Sequence, residues 1–187
     1  MLKRLFDIVI SFIAICTFFL PLSFLVVIVK LTSKGPVFYW SDRVGRNNKI
    51  FRMPKLRTMI INTPAVATHL LNNPEQYLTA FGKFLRKTSL DELPQLYNII
   101  KGDMSFVGPR PALFNQDDLV ALRTEKGVHV LTPGLTGWAQ IMGRDELTIE
   151  EKVNCDEYYL KNKSFWLDMK IIFFTIFNVL GMKGISH

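Results

Sequence analysis

Cysteine is almost missing from this chain, with two in 187 residues. Cys16 lies inside an apolar run and Cys155 far along in a polar stretch, so neither a disulfide framework nor a metal knuckle is indicated. A reducing, cytoplasm-facing location follows most simply from that scarcity. Internal repeats and low-complexity tracts are absent as well, which excludes solenoids and compositionally biased arrays. Length is modest: 187 residues hold one globular unit plus a membrane element, but not two comfortable domains. Charged residues, at 21%, are too many for a polytopic membrane protein, while 49% hydrophobic residues is high for a soluble one. A peripheral or monotopic membrane protein satisfies both figures. Acidic residues are outnumbered, 16 Asp and Glu against 23 Lys and Arg, for a formal net charge of +7. That balance attracts anionic lipid, phosphorylated substrates or nucleic acid without distinguishing them.

What the chain does have is a long apolar run. Ile8 to Val29 is uncharged, and as a helix its 22 residues reach roughly 33 Å, enough to span a bilayer. It is too long for a signal-peptide core, and no small-x-small site follows before Lys30, so the segment is expected to stay as an anchor. Lys3 and Arg4 precede it and Lys30 and Lys34 follow it, so flanking charge favours neither end. Pro21 removes a backbone donor near the middle, and Ser23 beside it can satisfy a freed carbonyl, which predicts a bend. Two topologies remain open: a re-entrant helix-break-helix with both basic flanks on one anionic surface, or a kinked single span.

Beyond the run, Val37 to Trp40 and Ile50 to Met53 read as a strand pair joined by the polar stretch 42–49, with Pro54 as its stop. Thr63-Pro64 suggests a helix start, and apolar spacing predicts a helix over 75–85. A further helix is predicted over 91–100 with Asp91 as its cap, because Pro94 would then cost no intrahelical bond. Residues 102–111 and 132–143 read as loops and 149–161 as a helix. The stretch 165–182 is an apolar helix that is either core or membrane-bound.

Three clusters carry candidate chemistry: Lys55, Arg57 and Thr58; Arg86 to Gln95, where Asp91 and Glu92 follow two cations; and Gly108-Pro109-Arg110-Pro111, where two prolines stiffen the presentation of Arg110. Consecutive helical carboxylates face different ways, so Asp91 and Glu92 suit separate roles, one as a nucleophile on phosphorus and one as a Mg²⁺ ligand. The plainer alternative makes Asp91 a helix cap, Glu92 a surface acid and the cations solvated.

Taken together, these strings resemble the bacterial sugar transferases, the monotopic phosphoglycosyl transferase family. The resemblance runs in order through Lys3 to Asp7, Gly35 to Val37, Asp42 to Gly45, Lys55 to Met59, Thr88 to Gln95, Gly102 to Ser105, Gly108 to Pro111 and Pro133 to Gln140. Ser41 departs from the glutamine usual before that second acidic string. The resemblance implies an α/β, mostly helical fold: a re-entrant membrane helix over 1–34, and a small cytoplasmic catalytic domain over 35–187 with interfacial amphipathic helices and a membrane-associated C-terminal helix. It implies that Asp91 attacks the sugar-linked phosphate of a UDP-sugar, expelling UMP, and that polyprenyl (undecaprenyl) phosphate then takes the group. An N-acetylated aminosugar is the expected cargo.

Glu92 is associated with Mg²⁺ and Arg110 with phosphate, and Lys55 and Arg86 are carried over beside them. Arg57, Pro111, Arg144 and Asp168 complete the expected phosphate- and substrate-binding set, with Pro21 and Ser23 at the membrane break. The expected location is the bacterial inner membrane, facing the cytoplasm. A homodimer is an open possibility for assembly. Nucleic acid is not expected, because the cations are scattered among phosphate-loop strings rather than forming a stripe. A noncatalytic lipid-phosphate-binding scaffold is the rival reading, and intact Asp91 and Glu92 argue against it.

Overall fold

A computed structural model describes residues 2–64, 73–143 and 146–180. It is mostly helical. The apolar run forms one α-helix, α1 (Leu2–Thr32), which continues through Pro21 instead of breaking there. Ser23 Oγ donates to the Phe19 carbonyl at 2.8 Å, not to Thr17, whose carbonyl loses its usual donor to the proline.

Both ends of α1 are tied to the rest of the chain. Near the start, Lys3 Nζ donates to the Val107 carbonyl at 3.0 Å and to Asp168 Oδ2 at 2.6 Å. Arg4 donates to the carbonyls of Ile99 and Ile100, and Asp7 Oδ1 accepts from the Phe106 amide at 3.1 Å. At the far end, Leu25 and Val29 bury against Leu56 and Leu85, and Arg57 donates to the Ser33 and Lys34 carbonyls at 2.9 and 2.6 Å. Between these attachments Cys16 to Pro21 is exposed at every position, so more than a full turn of mostly apolar residues is left uncovered by the described residues.

The hairpin forms with longer arms than predicted: β1 (Phe38–Val44) pairs antiparallel with β2 (Ile50–Leu56). Pro54 lies within β2 opposite Trp40, as proline can in a sheet of only two strands, where each strand has an open edge. Asn47 and Asn48 close the turn at φ 56 and 59, a left-handed conformation asparagine tolerates. The start suggested at Thr63-Pro64 leads into 65–72, which lie outside the described residues. The helix predicted over 75–85 is two pieces, a 3-10 turn at Pro74–Tyr77 and α2 (Gly82–Lys87). The backbone between them is committed elsewhere: Ile60 N donates to Tyr77 O at 2.9 Å and Thr79 N to Thr58 O at 2.9 Å.

The segment predicted as a single helix over 91–100 is a 3-10 turn, Leu90–Gln95, followed by α3 (Leu96–Lys101). Pro94 lacks the amide that an α-register would use. The stretches read as loops hold short elements, β3 (Ser105–Val107) in the first and β4 (Gly134–Thr136), parallel to β3, in the second; α4 (Asp117–Glu125) lies between them and α5 (Trp138–Met142) follows β4. The helix α6 (Ile149–Asn162) starts at a capping box of Thr148 and Glu151. Last comes α7 (Phe165–Leu180). Asp168 and Ile171 of α7 are buried, whereas Trp166 is 81% exposed and Phe173, Phe174, Ile176 and Phe177 are exposed. The helix is therefore part core and part bare face, and Phe6 of α1 meets Phe165 edge-on with ring centres 5.8 Å apart.

Candidate active site

Behind the 3-10 turn of Asp91 and Glu92 is a left-handed residue, Ser89 at φ 55, strained for a side chain with a Cβ. It redirects the chain as it leaves α2, and the turn that follows packs on β2. Glu92 therefore meets Lys55 of β2: Lys55 Nζ lies 2.7 Å from Glu92 Oε1, and Arg110 Nη2 lies 2.8 Å from the same oxygen. Among the described residues Glu92 Oε2 accepts no bond. From α2, Arg86 Nε donates to Thr58 Oγ1 at 3.0 Å.

Asp91 occupies the second position of the turn and makes no cap hydrogen bond. The predicted capping role is corrected: the turn is short, Ser89 stands at the cap position, and the Asp91 carboxyl is buried at 6% exposure. Burial raises its pKa to about 6, against the opposing charges of Lys55, Arg86 and Arg110 and with support from the charge of Glu92. Near neutral pH it is mostly ionised, through surrounding cations rather than a helix dipole. Burial would also raise Glu92, but Arg110 and Lys55, as charges and as donors, hold its carboxyl well below the usual range. Burial lowers Lys55 and Arg86, and the two carboxylates oppose this.

The site thus gathers Lys55, Arg86, Asp91, Glu92 and Arg110 from three separate stretches of sequence. Pro111 contributes its carbonyl, which accepts from Arg43 Nη1 at 3.2 Å. Arg57 is placed elsewhere, buried with its guanidinium on Ser33 and Lys34, so it holds the end of α1. Asp168 is also placed elsewhere: it accepts from Lys3 and from the Tyr159 hydroxyl, the latter at 2.6 Å, and holds the start of α1. Arg144 lies outside the described residues.

Several neighbours were missed in the sequence. Arg43 of β1 lies on the same face of the hairpin as Lys55, a placement its register predicts once the strand is known to reach Val44. Ser41, the departure from the usual glutamine, accepts from Arg43 Nε at 3.0 Å. Arg123 of α4 donates to the Arg110 carbonyl at 2.8 Å and is itself gripped by Asp156 of α6, at 2.9 and 2.6 Å. The loop of Arg110 is further locked by glycines. Gly108 N donates to Thr136 O and Gly134 N to Pro109 O, both at 2.9 Å, and a Cβ on either glycine would collide with the opposite backbone.

A divalent cation fits this arrangement in one way. Among the described residues no group of three or more His, Cys, Asp or Glu converges, so an all-protein cage is not offered. Mg²⁺ characteristically binds through one or two carboxylates plus substrate phosphates, and Glu92 Oε2 supplies such a carboxylate oxygen beside Asp91.

Two carboxylates set among Lys55, Arg86 and Arg110, in a chain whose α1 is long and apolar enough to cross a membrane, make a site suited to anions near a candidate membrane helix. The chain belongs to the bacterial sugar transferase family, which it matches over residues 1–182. It is 42% identical over 188 residues to an uncharacterized sugar transferase, EpsL, of Bacillus subtilis, covering 100% of this chain and 91% of the relative. It is 39% identical to an undecaprenyl-phosphate galactose phosphotransferase of Salmonella typhimurium, over 98% of this chain and 41% of the relative. It is 38% identical to a UDP-N-acetylgalactosamine-undecaprenyl-phosphate N-acetylgalactosaminephosphotransferase of Aeromonas hydrophila, over 98% of this chain and 44% of the relative. The chain spans less than half the length of the last two.

Proposed function

We propose that this sugar transferase is a phosphotransferase that moves a sugar 1-phosphate from a UDP-sugar to undecaprenyl phosphate in two covalent half-reactions. In the first, an Asp91 carboxylate oxygen attacks the sugar-linked phosphorus. The phosphorus–oxygen bond to UMP breaks, and its electron pair leaves with the UMP phosphate. In the second, a phosphate oxygen of the lipid attacks the same phosphorus, the bond to Asp91 breaks, and the carboxylate is restored. Splitting the transfer means nucleotide and lipid need not be bound together.

The observation that carries this reading is the buried Asp91 carboxyl set among Lys55, Arg86 and Arg110, whose charges favour its ionised form. Those cations keep a nucleophile charged and offset the negative charge of a diphosphate. Arg110, held in its loop by two prolines and two backbone clasps, is placed to orient a phosphate beside Glu92. Mg²⁺ held by Glu92 and the substrate would neutralise phosphate oxygens. An N-acetylated aminosugar is the proposed cargo, in line with the Aeromonas relative.

The bare middle of α1 and the exposed face of α7 support seating on the cytoplasmic face of the inner membrane. Both ends of α1 are fixed to one body, which favours re-entry over crossing. The transfer would then be a first membrane step in building a glycoconjugate.

The test is UMP release by purified protein from a UDP-sugar panel with undecaprenyl phosphate, together with exchange of labelled UMP into UDP-sugar without lipid. We expect exchange in the wild type and none in Asp91→Asn. Transfer that persists in Asp91→Asn, or that occurs with no exchange at all, would overturn the covalent route. EDTA should abolish transfer and excess Mg²⁺ restore it; undiminished turnover in EDTA removes the metal.

A further inference from the structure

Arg43 differs from Lys55 and Arg110, which both pair with Glu92, in having no acidic partner in contact among the described residues. Its Nε is engaged by Ser41 and its Nη1 by the Pro111 carbonyl. Among the described residues it forms no ion pair, and its Nη2 meets no acceptor. Burial, followed by the charge of neighbouring Arg110, lowers its pKa to about 10, while Glu92 pulls the other way. Glu92 does not contact it: among the described residues its bonds go through Oε1 to Lys55 and Arg110.

A guanidinium kept from water beside a second guanidinium is costly to hold unless an anion joins it. Lys55 and Arg110 share one Glu92 oxygen, and among the described residues Arg43 has no carboxylate in contact, so its charge is left for a phosphorylated ligand to match. The grip on Pro111 puts Arg43 next to the loop of Arg110, on the hairpin face it shares with Lys55.

We infer that Arg43 is a substrate-binding residue for the phosphate that is not attacked, so that one subsite holds a phosphate monoester in each half of the transfer. The inference rests on the two-step reaction proposed above. In the first half the departing UMP becomes a monoester as the phosphorus–oxygen bond breaks, and its new charge falls between Arg43 and Arg110. In the second half the lipid phosphate, also a monoester, takes that place before its oxygen bonds to the phosphorus on Asp91. A nucleotide and a polyprenyl lipid share nothing but that group, so a subsite reading the monoester alone serves both. Ser41 and the Pro111 carbonyl fix the plane of the guanidinium and leave Nη2 to the ligand.

The test is calorimetric titration of the full chain in lipid nanodiscs with UMP, in the wild type, Arg43→Gln and Arg43→Lys, alongside melting temperatures. UMP affinity should fall about ten- to a hundredfold in Arg43→Gln, the usual range for losing a hydrogen bond to a charged group, and less in Arg43→Lys. Undecaprenyl phosphate should displace labelled UMP from the wild type. Arg43→Gln that melts normally and binds UMP within twofold of wild type overturns the inference. If Arg43→Gln does not fold, Arg43→Lys decides: intermediate UMP affinity supports the subsite, and wild-type affinity overturns it. No turnover is needed, so a wild type that binds UMP through Arg43 yet transfers no sugar phosphate would sink the proposed reaction and leave this subsite standing.

Discussion

Asp91 is caught between burial, which favours its proton, and three cations, which favour its charge. With a value of about 6, the nucleophilic form is lost as pH falls through that point. The rate of UMP exchange should therefore drop about tenfold per pH unit below 6, and a flat profile down to pH 5 would count against Asp91 as the nucleophile. The same shift bears on stability. Because the folded pKa lies above the unfolded value of 3.8, the folded protein binds the proton more tightly. Stability then declines as pH rises from the unfolded to the folded value, and the full cost is present above it. Two pH units correspond to about 3 kcal/mol. Asp91→Asn should melt higher than wild type at pH 8 and lose that advantage near pH 4, which thermal denaturation at the two pH values checks.

Arg123 holds the Arg110 carbonyl, so in the proposed reaction it would act one residue removed from substrate. A buried ion pair such as Arg123 with Asp156 is weak support for stability in itself, so positioning is its clearer role. Arg123→Lys should lower kcat about tenfold, yet cost nothing further in an Arg110→Ala background, since it acts through Arg110. Full additivity in that double-mutant cycle would mean it does not. Lys55, Arg86, Asp91, Glu92 and Arg110 were legible because each sits in a compact string of charge and turn residues. Arg123 and Asp156 were not, since each is an ordinary charged residue on a helix until α4 and α6 pack together.

At the scale of elements, the sequence was most readable where a local rule acted alone. The helix read over 149–161 forms as α6, started by a capping box of Thr148 and Glu151 that the structure adds. Reading failed where backbone was committed over a distance. Leu78 and Thr79 look helical by spacing but pair with the chain beyond β2. Residues 105–107 and 134–136 are too short to show a strand pattern, and become strands only by meeting each other. Where those two segments cross, Gly108 and Gly134 allow an approach that any Cβ would block. Gly134→Ala should therefore cost about 1–3 kcal/mol through overpacking and impair transfer by shifting Arg110. A substitution that lowers the melting temperature but leaves kcat intact would separate the crossing from the site.

For the molecule as a whole, the unbroken course of α1 through Pro21 was not legible, because a proline inside a helix is read as a break unless neighbours hold both sides. Here Lys3, Arg4 and Asp7 fasten one end and Arg57 the other. Single cysteines placed at Leu2 and Leu31 in a Cys16→Ser, Cys155→Ser chain should both be shielded from an impermeant thiol reagent in intact spheroplasts and both react once the cells are opened. Labelling of one but not the other from outside would establish a full crossing instead. The anchored ends carry a kinetic consequence. With Lys3, Arg4 and Asp7 bonded to the domain, the re-entrant seating proposed above would drag none of them through hydrocarbon. On that proposal the folded protein would settle on a finished bilayer after synthesis, without a path opened by insertion machinery.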